Sequence, residues 1–163
     1  MEHEDLGALF ARITRWLLDS ERPLLDAHGL SMWDYIVLSH LARKPAGTQL
    51  ALAEEIGYDK TRLIALLDNL EHGGLLTRTA DPTDRRARVV TLTKSGHARR
   101  AAAQADIRAM EDEFLAHLKP VERDRLRRTL DGLALTTKKR PRSGTRTRTP
   151  RHRARTPATS GRA

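Results

Sequence analysis

Apolar positions along this chain recur first at helical spacing, then briefly at strand spacing, then at helical spacing again. Leu6, Leu9, Phe10, Ile13 and Leu17 fall three or four apart, so roughly residues 4–20 form an amphipathic helix. Pro23 interrupts or bends it, and Gly29 ends the segment beyond the proline. Ser31, with Asp34 three residues on, has the pattern of a capping box. Trp33, Ile36, Val37, His40 and Leu41 mark one face of a second helix, which Pro45 and Gly47 break. Thr48 can cap a short helix over Gln49–Ile56, with Gly57 at its end. Asp59 can cap a longer one from Lys60 to His72, with Leu63, Leu66, Leu67 and Leu70 facing inward. Gly73-Gly74 stops it. Leu75–Thr79 and Arg88–Thr93 are rich in β-branched residues and read as two strands. Between them lies a polar turn, Asp-Pro-Thr-Asp-Arg-Arg-Ala. Thr93 caps a long helix reaching about Leu118, and Pro120 starts a last helix with Leu126, Leu130 and Leu133 on one face. The class is mainly α with a small β hairpin.

A short helix, a turn containing glycine and a second helix make a helix-turn-helix. In that motif the first residues of the second helix reach base edges in the major groove. Here those are Lys60, Thr61 and Arg62. Lysine or arginine can bond guanine O6 and N7, and threonine can meet a thymine methyl. The hairpin comes directly after and carries Arg85, Arg86 and Arg88 at or beside its tip. Projecting arginines suit a DNA groove, although a solvated hairpin with ordinary surface charge would carry the same residues. Arg85 and Arg88 are candidate phosphate contacts, and Arg78 on the first strand is another. Asp59 is better explained as a helix cap, and Leu63 and Ile64 as packing residues.

Composition changes the picture in one respect. The net charge is +9 over 163 residues, but ten of the basic residues and none of the acidic ones lie between Thr136 and Ala163. Residues 1–135 therefore hold 20 basic and 21 acidic residues. The globular part is nearly neutral, and its nucleic-acid contacts must rest on local patches. The segment after Leu135 has almost no apolar residues and is expected to be disordered. Its cations suggest sequence-independent phosphate contact; an extension under little constraint would look the same. As a flexible coil, 28 residues span about 30 Å. Cysteine is absent, which removes disulfides and thiolate zinc sites. There is no apolar run long enough for a membrane span and no signal-peptide pattern, so a cytoplasmic, nucleoid-associated location is expected.

The order of elements, with LLDNLEHGGLLTR running into DPTDRRARVVTLTKSG and GLSMWDYIVLSHL upstream, resembles the MarR family of bacterial transcription regulators. The resemblance covers about residues 5–135 and is sharpest from Gly29 to Gly96. It implies a winged helix-turn-helix protein that binds a palindromic operator on double-stranded DNA as a homodimer. Residues 1–30 and 94–135 would form the dimerisation region, with the first and last helices interlocking; residues 31–93 would form the DNA-binding lobe, and 136–163 a basic tail. It also implies that Arg86 is the groove arginine, with Asp84 beside it. A carboxylate can fix a guanidinium fork through paired hydrogen bonds, which fits that role. Ala65 and Asn69 stand where many relatives carry arginine, which leaves the operator bases open.

Such regulators, most often repressors, commonly release DNA when a small aromatic or anionic effector binds. Trp16, Trp33, Tyr35 and His40 are candidate pocket residues on that implication, with Trp33 and His40 equally readable as core. No cofactor is implied. No phosphate loop, nucleophile elbow or HExxH occurs, and the seven histidines show no ligand spacing, so an enzyme is not expected. The competing reading is an architectural DNA-binding protein driven by the basic tail.

Overall fold

A computed structural model of the chain describes residues 4–44, 47–80 and 88–138. Among the described residues, six helices and a three-stranded sheet come in the order α1 (Leu6–Ala27), α2 (Met32–Arg43), β1 (Gly47–Thr48), α3 (Gln49–Ile56), α4 (Lys60–His72), β2 (Leu76–Ala80), β3 (Arg88–Leu92), α5 (Lys94–Phe114) and α6 (Pro120–Lys138). This is the mainly helical winged arrangement that the apolar spacing predicts. The elements from α1 to α5 form one packed unit, and α6 belongs to a second.

Local signals set most boundaries. The Ser31 hydroxyl accepts the Asp34 N–H at 3.2 Å, and the Asp34 carboxylate accepts the Ser31 N–H at 2.8 Å, which completes the capping box of α2. Thr48 caps α3 and Asp59 caps α4, each through its side-chain oxygen. Gly57 (φ 66°) and Gly74 (φ 68°) sit in the left-handed region, where a side chain would be strained, and they turn the chain out of α3 and α4.

Three expected boundaries move. Pro23 lies inside α1, which continues to Ala27. The proline ring is exposed, while Leu24 and Leu25 beside it pack into the core and hold the last turn despite the missing N–H. Helix α5 ends at Phe114, short of Leu118. Pro120 disfavours a helical conformation in Lys119 and stands in the first turn of α6, where the chain restarts. Helix α6 in turn runs to Lys138, past Leu135.

The sheet has strand order β1-β3-β2 and is antiparallel throughout, with Arg78 opposite Val90 and Ala80 opposite Arg88. One continuous core holds the unit together. It runs from Leu25 of α1 through Val37, Leu38 and Leu41 of α2, Leu63, Leu67 and Leu70 of α4 and Val90 of β3 to Ala103 and Ile107 of α5. Each large side chain buried there stabilises the fold by roughly 1.5–3 kcal/mol. No helix among the described residues is long and apolar enough to cross a membrane.

At the foot of the wing the packing is closest. The Thr93 hydroxyl donates to the Gly74 carbonyl at 2.7 Å and accepts the Gly96 N–H at 3.0 Å, and the Leu75 carbonyl accepts the Thr93 N–H at 3.1 Å. A Cβ on Gly96 would lie 1.9 Å from that same Leu75 oxygen. The start of α5 is thereby clamped to the turn that leads from α4 into β2.

Candidate nucleic-acid interface

Burying Leu63, Leu67 and Leu70 fixes the rotation of α4 about its axis. Thr61, Ala65 and Asp68 on the opposite face are exposed, as are Lys60 and Arg62 in the first turn. Asp59 spends one carboxylate oxygen on the Arg62 N–H at 2.9 Å, the capping role expected of it. The side chains of Lys60 and Arg62 make no ion pair among the described residues, and both lie in the first turn of the helix. The helix thus presents two cations and a hydroxyl at its head, beside the positive end of its own dipole.

Arg88 opens β3 and is exposed. Asp84, Arg85 and Arg86, expected at the wing tip, lie outside the described residues.

Arg78 has a different setting from the phosphate contact expected of it. Strand alternation places it on the same face of β2 as the buried Leu76, just where the core ends. Its Nε donates to Glu71 Oε2 at 2.8 Å, and its Nη2 lies 2.5 Å from that oxygen and 2.6 Å from Asp68 Oδ1. The other Glu71 oxygen accepts the Arg78 backbone N–H at 2.9 Å. The Arg78 guanidinium holds the Glu71 carboxyl below the usual carboxylate range, with a smaller contribution from the Arg88 charge. Glu71 in turn raises the Arg78 value. The arginine is engaged within the fold. The period-two pattern from Leu76 to Arg78, with two carboxylates ending the preceding helix, is the signal that would have found this triad.

The four candidate pocket residues are not gathered at one place. Trp16 stacks on Phe114 with ring centroids 4.3 Å apart, and Trp33 tilts against Tyr58 at 4.2 Å. Tyr35 packs against the core. His40 Nε2 lies 2.6 Å from Glu55 Oε2, and Lys44 binds the other oxygen of that carboxylate, tying α2 to α3. Lys44 and, to a lesser degree, His40 hold the Glu55 carboxyl below its usual range against the opposing effect of burial. His40 also lines a hollow of about 260 Å³ with Lys44, Thr48, Leu52 and Glu55, and none of the other three candidates takes part. A second hollow, of about 310 Å³, is lined by Leu18, Arg22, Leu25, Asp26, Leu30, Ser31 and Met32. It contains none of the four.

A family model of the MarR family matches residues 28–87, from the end of α1 to the wing. The transcriptional regulator HosA of Escherichia coli O111:H- is 37% identical over 90 residues, which make up 55% of this chain and 67% of that one. The chain belongs to the MarR family. It is a DNA-binding transcriptional regulator of that family and not an enzyme. It spans about two thirds of the length of the curated relatives it matches. Among solved structures, CouR of Rhodococcus jostii RHA1 bound to p-coumaroyl-CoA matches with a TM-score of 0.67 and 30% identity, covering 80% of this chain and 92% of that one. The repressor CouR bound to a 23-mer DNA duplex matches with a TM-score of 0.69 and 28% identity, covering 82% and 99%.

Proposed function

We propose that this MarR-family regulator binds a palindromic operator as a homodimer and represses transcription from it, in the cytoplasm. Lys60, Thr61 and Arg62 enter the major groove, and the wing, with Asp84, Arg85, Arg86 and Arg88, reaches the neighbouring minor groove. The observation that carries this reading is the split face of α4. Three leucines anchor it while its cationic first turn stands free of ion pairs among the described residues. Dimerisation is supported by a partly exposed apolar stripe on α1, where Leu6, Phe10 and Ile13 are 72%, 45% and 40% exposed. On α6, Val121, Leu130, Leu133 and Leu135 are likewise exposed. We assign residues 1–30 and 94–135 to the dimerisation region and 31–93 to the DNA-binding lobe. Release by a small aromatic or anionic effector is part of the same reading, since CouR has been captured with p-coumaroyl-CoA in one structure and with DNA in another.

Selecting bound duplexes from random DNA tests this. The expected result is a two-fold symmetric consensus with half-sites about 10 bp apart and a preference of roughly 10³ or more over unrelated DNA at physiological salt. Ten basic and no acidic residues from Thr136 onward favour the second reading, an architectural protein driven by its tail. That reading requires similar affinity for all duplexes and a steep salt dependence.

A further inference from the structure

Two elements that must engage neighbouring grooves of one duplex have to be held at one mutual angle, or the ordering is lost from the binding free energy. In this chain α4 and β2 are joined covalently by only Gly73, Gly74 and Leu75, two of them glycines. Beyond the shared leucine core, a polar connection is made by the triad of Arg78, Asp68 and Glu71. Glu71 grips both the main chain and the side chain of Arg78. Asp68, seven residues and two turns beyond Thr61, meets the same Nη2 that Glu71 holds. The Arg78 side chain is 20% exposed, whereas that of Asp68 is 54% exposed. Two carboxylates on one guanidinium leave no surplus positive charge to offer a phosphate.

We propose that Arg78 is a positioning residue for DNA binding. Through Asp68 and Glu71 it locks β2, and with it the wing, to the recognition helix. The inference rests on the reading that helix and wing grip one operator. The planar fork is required because it meets two carboxylates at once from fixed directions; an ammonium cannot reproduce that geometry.

Arg78→Lys and Asp68→Asn, each conservative in size, test it. Affinity for the selected operator and for unrelated duplex DNA is titrated over a range of salt, alongside Tm. Both variants are expected to weaken operator binding five- to fifty-fold. Affinity for unrelated DNA should stay within about twofold of the parent, and the slope of log K against log salt for the operator should be unchanged. For Asp68→Asn the sign is decisive, because removing a negative charge next to DNA would by itself tighten binding. A phosphate-contacting Arg78 predicts a neutral Arg78→Lys and a tighter Asp68→Asn, and that result overturns the proposal. Equal losses on operator and unrelated DNA, in step with a lowered Tm, overturn it as well, since they report folding alone. A parent protein with no preferred duplex would instead overturn the operator reading, and the positioning role with it.

Discussion

Gly96→Ala is expected to destabilise this protein, although alanine is the better helix former. Gly96 is the third residue of α5, where a glycine ordinarily costs roughly 0.5–1 kcal/mol relative to alanine. Propensity alone therefore predicts a gain. The packing predicts the reverse. The added Cβ would stand 1.9 Å from the Leu75 oxygen and 2.9 Å from its carbonyl carbon. Carbon and oxygen in contact sit about 3.3 Å apart, so the two backbones must separate by roughly 1.4 Å. The atoms involved are main chain, and the Leu75 carbonyl also accepts the Thr93 N–H at 3.1 Å. Relief by a rotamer change is thus closed. Overpacking of this kind costs about 1–3 kcal/mol, and loosening one backbone hydrogen bond adds about 1 kcal/mol. Subtracting the propensity gain leaves a net loss of roughly 1–3.5 kcal/mol, which corresponds to a Tm lower by several degrees and up to about 15 °C for a domain of this size. Calorimetry of parent and variant at one fixed protein concentration measures it, because the proposed dimer would make Tm concentration-dependent. An unchanged or raised Tm would refute the close approach of α5 to the Leu75 carbonyl.

Lys60→Ala and Arg62→Ala should each weaken operator binding by about 1–3 kcal/mol and relax discrimination at the contacted base pair, with Tm unchanged; competition titration against single-base operator variants checks both. Arg86→Ala should lower operator affinity tenfold or more without unfolding the lobe, read by gel shift at fixed salt and by circular dichroism. Ending the chain after Lys138, where α6 stops, should flatten the salt dependence by about 0.9 per lost phosphate contact while keeping the consensus sequence; an identical slope would make the tail a bystander. Because the folded-state pKa of Glu55 is depressed, its pairing with Lys44 and His40 stabilises the fold above the ordinary value of 4.5 and that contribution is lost as pH falls below it. Urea midpoints of the parent and Glu55→Gln should therefore differ at pH 7 and converge on acidification.

Whatever is encoded within a few residues is legible in this sequence. Ser31 with Asp34, Thr48, Asp59 and Thr93 each act on an N–H three positions away, and all four cap their helices as that spacing predicts. The leucine spacing of α4 sets which side of that helix is buried, so it also sets which side can meet DNA. What the sequence leaves unread comes from contacts between elements. Pro23 reads as a break because its missing N–H is visible in the sequence, while the core that holds Leu24 and Leu25 is not. The four candidate pocket residues share chemistry and not location. Trp16 and Trp33 each meet a ring on another element, and His40 meets a carboxylate.

Arg78 is the most instructive case. On charge alone it belongs with the wing arginines as a phosphate contact. Yet strands alternate sides every residue, so an arginine two positions after the buried Leu76 points toward the helix that precedes the strand. That helix ends with Asp68 and Glu71, and a guanidinium between two carboxylates is a structural tie before it is a surface charge. The same test separates the remaining cations of the lobe. Lys60 and Arg62 stand exposed in the first turn of α4 and make no ion pair among the described residues, whereas Arg78 meets two carboxylates. Exposure and partner, more than net charge, therefore separate the basic residues that can be offered to a phosphate from Arg78, held within the fold.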